Sequence, residues 1–197
     1  MRELGLVPCG PRPWRATTID DEAASAMPGL LACDFTADTP GRKLVSDITT
    51  LTPEPGCFLA TVIDCHTKAV VGWAMADRMK TSLISNALDM AARNINLAEG
   101  YVFYSDRDCH YTSLEFRCQL RSLGIRASVG RTGVCWDNAM AESFFGALKN
   151  ELAHRTTFPA RAHAHRAIVR CIEMFHNRNA STPDSATRLS QKSHAEY

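Results

Sequence analysis

Three short β-branched runs, joined by links too short to hold a helix, set the strongest limit on how this chain can fold. They are KLVSDITTL (43–51), CFLATVIDC (57–65) and AVVGWAMAD (69–77). TPEPG separates the first two and HTK the next two, and short links of this composition are turn signals. A parallel partner needs a crossover of roughly a dozen residues or more. Strands linked this closely therefore pair antiparallel, and the sequence predicts a three-stranded meander.

Beyond the meander, helical and strand patterns alternate. SLISNALDMAARNINLA (82–98) repeats Leu83, Ala87, Met90 and Ala91 at helical spacing, with Gly100 as its stop signal. YVFYS (101–105) reads as a fourth strand, SLEFRCQLRSLG (113–124) as a helix closed by Gly124, and IRASVG (125–130) as a fifth strand. WDNAMAESFFGALKNELAHR (136–155) and RAHAHRAIVRCIEMFHNR (161–178) read as helices. The order βββ-α-β-α-β-α-α predicts an α/β fold, a five-stranded mixed sheet with helices on both faces. It is the order of the ribonuclease H-like fold. Residues 1–36, broken by prolines, read as an N-terminal connector, 37–178 as the folded domain and 179–197 as a C-terminal tail.

Composition narrows the function classes. Hydrophobic residues make up 45% of the chain and net charge is +1, so it is globular without a global nucleic-acid-type charge. Only residues 155–197 are basic, with seven Lys/Arg against three Asp/Glu. No apolar run reaches the roughly 20 residues of a membrane span. MRELGLVPCGPRPWRATT has no apolar secretory core, so a cytoplasmic location is the default expectation. The eight Cys form no C-x-x-C pair and meet no paired His at zinc spacing, which favours reduced thiols over zinc or disulfides.

Three carboxylates stand at strategic places. Asp47 interrupts the first strand, where Asp is out of character. Asp106 follows the fourth strand directly, and Glu142 sits on the late helix among Ala, Phe and Leu. In a ribonuclease H-like sheet the first and fourth strands are parallel neighbours, so the two Asp would converge at their C-terminal ends, a usual site position. The helix would bring Glu142 beside them. Three such carboxylates repel one another unless a cation neutralises them. An all-oxygen set favours Mg²⁺ or Mn²⁺, and two such ions about 4 Å apart can activate a water or 3′-hydroxyl at a phosphodiester. Taken singly, each acid is as readily a cap, turn or surface residue. Asp64, in VIDC, ends a strand in the same way and is an internal competitor.

Together, SDIT, ATVIDCHTKAVVGWAM, YSDRDCHYTS and WDNAMAESFFGALKNEL resemble the integrase catalytic core of bacterial insertion-sequence transposases, those of the IS-three family above all. The interval of 35 residues between Asp106 and Glu142 is typical of that family. The resemblance covers about residues 35–178. It implies that Asp47, Asp106 and Glu142 are the catalytic acids and the ligands of two Mg²⁺ (or Mn²⁺) ions. The implied reaction is nicking at element ends and joining of the 3′-hydroxyl to another phosphodiester, without a covalent protein–DNA intermediate. The implied partners are double-stranded DNA, further copies of the chain and a helix-turn-helix protein from the upstream frame, with no membrane. Asp64 falls on a recurrent strand Asp outside the triad, with a structural task. Lys149 would touch DNA near the cut, or be a solvated lysine. Asn138 would orient the metal shell or meet DNA, or serve as a helix cap along with Asp137. Arg107, Tyr111 and Thr112 would line the cleft, and Trp73 would be core. Arg126 and Arg131 would meet phosphates, or stay solvated.

Departures from the family pattern are local. Leu44 stands where Trp is usual. Asp108, Cys109 and His110 replace the usual Gly, Ser and Gln, adding a negative charge and removing a residue tolerant of positive φ. The end reads FHNRNASTPDSATRLSQ, without the usual Leu-Gly-Tyr, and MRELGLVPCG resembles the last piece of a helix-turn-helix. These features point to an incomplete copy. A hydrolysis-only nuclease and a fragment that only binds DNA or a partner stand as alternatives.

Overall fold

A computed structural model describes residues 34–51, 57–95, 100–106, 108–129, 139–153, 158 and 160–180. The first two strands, β1 (Lys43–Thr50) and β2 (Phe58–Asp64), pair antiparallel, with Asp47 opposite Thr61 and Leu44 opposite Asp64. β3 (Val70–Ala76) continues the meander. Helix α1 (Thr81–Asn94) then leads to β4 (Val102–Ser105), which returns parallel to β1. The helical turn α2 (Cys109–Thr112) and helix α3 (Leu114–Ser122) lead to β5 (Arg126–Val129), parallel to β4. The sheet order is β3-β2-β1-β4-β5. Helix α4 (Ala139–Leu148) runs on into a π-helical turn, Lys149–Ala153. A last helical segment joins α5 (Arg161–Arg170), a second π-helical turn (Cys171–His176) and α6 (Asn177–Ala180).

Alternation along β1 sends its side chains into two cores, one per face. Leu44 packs with Ala60 and Val62 against Leu83, Ile84, Leu88, Phe103, Phe116 and Leu120, the α1/α3 side. Val45 packs with Leu59 and Ile63 against Ala141, Phe144, Phe145, Leu148, Ile168 and Ile172, the α4/α5 side. Helices thus cover both faces of a mixed five-stranded sheet, the expected architecture. Each fully buried Leu, Ile or Phe contributes about 1.5–3 kcal/mol over its exposed state. Gly72 lets α1 lie directly on β3, since a Cβ there would stand 2.2 Å from the Ala87 carbonyl oxygen.

Two helix ends separate a good stop signal from a weaker one. At α3, Gly124 takes φ +69°; its amide donates to Arg121 O, and the Ile125 amide donates to Leu120 O. These are the paired bonds of a Schellman stop, which needs a left-handed residue where Gly stands. Leu120 and Ile125 also meet in the core. By contrast, α1 does not run to 98: Ile95 is already extended (φ −130°, ψ 146°) and packs on the α1/α3 core. The Asn94 side chain donates to Val71 O at 2.8 Å, anchoring the helix end to β3. Among the described residues no helix is long and apolar enough to cross a membrane. The five described cysteines (Cys57, Cys65, Cys109, Cys118 and Cys171) are free thiols.

Candidate active site

The parallel register of β1 and β4 ends at Ser46 opposite Ser105, so the next residues along, Asp47 and Asp106, leave that register at one level. Asp47 shares the face of Val45, the side covered by α4. It is half-buried, and its Oδ1 accepts the Ile48 amide at 2.7 Å. Asp106 is exposed just beyond β4, and Glu142 is exposed on the first turn of α4. Ala141, Phe144, Phe145 and Leu148 are buried on the other side of that helix, which holds it against the sheet. Among the described residues nothing outside its own helix backbone lies within 4 Å of where a Cβ on Gly146 would be, so they leave the helix surface beyond Glu142 bare.

The electrostatics tie these acids together. Burial, and after it the negative charges of Asp106, Glu142 and Asp108, together push the Asp47 carboxyl up to about 6. The Ile48 amide opposes them. Asp47 is therefore ionised at neutral pH against its surroundings, the condition that a bound cation relieves. The three acids are electrostatic neighbours without being tightly drawn together. Among the described residues, three potential ligand atoms lie within 4.8 Å of one another only at Asp108, Cys109 and His110.

Asp108 has a local task. With φ −67° it caps α2, its carboxylate accepting the His110 amide at 3.0 Å and the Cys109 thiol at 3.3 Å. The expected cost of losing a Gly here does not arise, because the position does not use positive φ. Asp64 is fully buried at one end of the β1–β2 pair, opposite Leu44, whereas Asp47 stands at its middle. Its carboxylate accepts the Gly41 amide at 2.7 Å, the Thr67 amide at 2.9 Å and the Thr67 hydroxyl at 2.7 Å. That satisfied pocket explains a strand-end Asp without any site.

Several secondary expectations change. Tyr111 and Thr112 do not line a cleft; both are buried. The Tyr111 ring packs edge-on to Phe116, and its hydroxyl shares a 2.8 Å hydrogen bond with Ser46, the residue before Asp47. The bond straps β1 to the turn that follows Asp106. Arg126 opens β5 opposite Val102, at the end of the strand remote from Asp106, and its guanidinium donates to Gly100 O at 3.2 and 3.3 Å. Lys149, half-exposed, opens the π-helical turn, so the regular stripe through Glu142 and Gly146 holds only to Leu148. Arg107, Arg131, Asp137 and Asn138 lie outside the described residues.

Trp73 packs on the α4/α5 core as expected, and its Nε1 donates to Glu173 at 3.1 Å. Sequence reading missed how α6 is anchored. The Asn177 side chain accepts the Val70 amide at 2.9 Å and donates to the Val70 carbonyl at 3.0 Å. His176 Nε2 lies 3.0 Å from Lys68 O, and its ring meets Phe144 of α4 edge-on.

Comparison with known proteins agrees with this architecture. Residues 37–135 match the integrase core domain, and residues 123–180 match a second integrase core domain family. The chain is 35% identical over 178 residues to the insertion element IS600 uncharacterized 31 kDa protein of Shigella sonnei, covering 90% of this chain and 65% of that one. It is 34% identical over 179 residues to the transposase InsF for insertion sequence IS3A of Escherichia coli K12, covering 90% of this chain and 62% of that one. The chain thus spans 62–65% of the length of these two relatives. In structure it is similar to the HTLV-2 integrase catalytic core domain in complex with magnesium, with a TM-score of 0.53, 16% identity, and 68% and 87% of the two chains covered. It is likewise similar to a chain of the simian T-cell lymphotropic virus intasome in complex with a PP2A regulatory subunit, with a TM-score of 0.55, 19% identity, and 66% and 48% covered. At these identities the structural likeness speaks for the ribonuclease H-like fold. By its sequence match over half its length, the chain belongs to the integrase core domain family.

Proposed function

We propose that this chain is the catalytic part of an insertion-sequence transposase, which nicks the 3′ ends of its element and transfers them to target DNA. One observation carries the reading most: Asp47 and Asp106 directly follow the last matched pair of the parallel β1–β4 register while the charge of Glu142 acts on the same Asp47 carboxyl. Asp47, Asp106 and Glu142 are the proposed catalytic acids. Their donor set is oxygen only, and Asp47 carries a charge its surroundings disfavour, so the residues fit Mg²⁺ or Mn²⁺. When bound, a pair of such ions supplies Lewis-acid activation of a water or 3′-hydroxyl and stabilisation of the leaving oxygen. The protein's own contribution is to hold three carboxylates on the sheet and on a helix anchored by Phe144, Phe145 and Leu148. The similarity to the InsF transposase, and to the HTLV-2 integrase core in complex with magnesium, supports the same reading.

DNA would pass over the bare surface at Gly146. We assign phosphate or base contacts to Lys149, Asn138, Arg107 and Arg131. The catalytic unit is taken as 37–178, with 1–36 as connector and 179–197 as tail. The partners proposed are element-end and target duplexes, further copies of the chain and an upstream-frame helix-turn-helix protein, all in the cytoplasm. The test is a strand-transfer assay with element-end DNA and Mg²⁺ or Mn²⁺. Joined products that disappear in Asp106→Asn support the proposal. Hydrolysis without joining would make the chain a nuclease, and binding with neither activity would overturn the enzyme reading.

A further inference from the structure

The row of residues crossing the sheet at Asp47 runs from Trp73 on β3 through Thr61 on β2 to Asp47 on β1. Directly opposed residues of antiparallel strands project to the same face. Leu59 and Ile63, which flank Thr61 in the alternation, pack in the α4/α5 core beside Val45. The Thr61 side chain therefore lies on the face where Asp47 lies. It is wholly buried, and its hydroxyl has no hydrogen-bond partner among the described residues. Leaving a buried hydroxyl unsatisfied is unfavourable, and Val would fill the same space without that cost. The cross-strand neighbour that could accept its proton is Asp47, whose Oδ1 is held by the amide of the next residue in its own strand.

We propose that Thr61 is a positioning residue for Asp47: its hydroxyl donates to the Asp47 carboxylate once that group turns from the Ile48 amide toward a divalent cation held with Asp106 and Glu142. The inference rests on reading those three acids as a metal site. A donor on one carboxylate oxygen fixes the side-chain torsions and leaves the other oxygen aimed at the ion, the usual task of a hydrogen bond behind a metal ligand. Thr61 touches neither ion nor DNA in this scheme and acts only through Asp47.

The experiment is a titration of the full chain with Mn²⁺ alone, following the free ion by electron paramagnetic resonance. Thr61→Val should melt no lower than the native chain in EDTA, since it loses only an unpaired hydroxyl. It should nevertheless bind Mn²⁺ roughly 10-fold more weakly. Thr61→Ser, which keeps the hydroxyl, should bind within about twofold of the native chain, a rescue that a packing role would not give. Native affinity in Thr61→Val, or equal weakening in Thr61→Val and Thr61→Ser, overturns the role of Thr61. If Asp47→Asn abolishes Mn²⁺ binding in those cases, the triad reading survives that failure. Native Mn²⁺ binding by Asp47→Asn, or no binding by the native chain, overturns the triad reading and the role of Thr61 with it.

Discussion

Asp47 and Asp64 are both aspartates in the paired strands β1 and β2, and the chain treats them in opposite ways. Asp64 is fully buried and accepts two amides and a hydroxyl. Asp47 is half-buried, accepts the amide next to it, and is pushed up to about 6 by burial and by Asp106, Glu142 and Asp108. A carboxylate kept for structure is surrounded by donors. A carboxylate whose neighbours are themselves acids is set up for something that binds. The comparison separates two residues that look alike in the sequence, and substitution should separate them again.

The largest effect is expected at Asp64. Asp64→Ala strands the buried Gly41 amide and the Thr67 amide, and each unsatisfied donor costs about 1–3 kcal/mol. Chemical denaturation should show a loss of about 3–4 kcal/mol, or no folded protein. A loss below about 1 kcal/mol would end the idea that Asp64 is the structural member of the pair.

Asp47→Asn should do the reverse in metal-free protein. The folded carboxyl sits about two units above its ordinary value of 3.8. The native state therefore binds more protons than the unfolded chain between about pH 4 and 6, and the contribution of Asp47 falls as pH rises through that window. Above it the full penalty is present, on the order of 3 kcal/mol. Asparagine keeps an acceptor for the Ile48 amide and removes the charge. The variant should thus be more stable than the native chain at pH 7 in EDTA, with the difference shrinking toward pH 4. Saturating Mg²⁺ should stabilise the native chain and leave Asp47→Asn unmoved. Melting curves at several pH values decide this, and a destabilised Asp47→Asn at pH 7 would contradict the electrostatic account.

The edge of the sheet gives a third contrast. Val70 opens the edge strand β3, and the Asn177 side chain satisfies both its amide and its carbonyl from α6. Asn177→Ala should cost about 2 kcal/mol, two hydrogen bonds at roughly 1 kcal/mol each. It should also raise amide exchange at Val70. Unchanged exchange there would mean that the C-terminal segment is not anchored through this residue.

How much of this the sequence carried follows from what kind of signal each feature leaves. The strands of the meander and the α3 stop at Gly124 rest on local rules, period-two alternation and the need for positive φ, and both were legible. Asp47 and Asp106 stood out because Asp is foreign to a strand and because the α/β order brings β1 beside β4. What stayed hidden depends on contacts distant in sequence. Thr61 reads as an ordinary β-branched strand residue until the register sets it opposite Asp47. Tyr111 reads as cleft lining because it follows Asp106 closely, yet the helical turn capped by Asp108 rotates it inward. The end of α1 was overestimated because periodicity continues through Ile95 although Asn94 is tied to β3.

Tyr111→Phe gives the smallest and most selective change. The ring stays among Phe103 and Phe116, so the packing of that core is retained. What is lost is the 2.8 Å bond to Ser46, worth about 1 kcal/mol, with the Ser46 hydroxyl left buried. Burial already holds the Tyr111 hydroxyl well above its ordinary pKa, so it stays protonated through the neutral range and the bond is present there. Stability should fall by about 1 kcal/mol. Because the strap joins the residue before Asp47 to the turn after Asp106, the relative placement of the two acids should loosen as well. Mn²⁺ affinity should then fall more than Asp64-side substitutions of equal stability cost make it fall. Equal losses on both sides would mean that the middle of the β1–β2 pair and its Asp64 end are not mechanically distinct, and the contrast between Asp47 and Asp64 would reduce to their immediate neighbours.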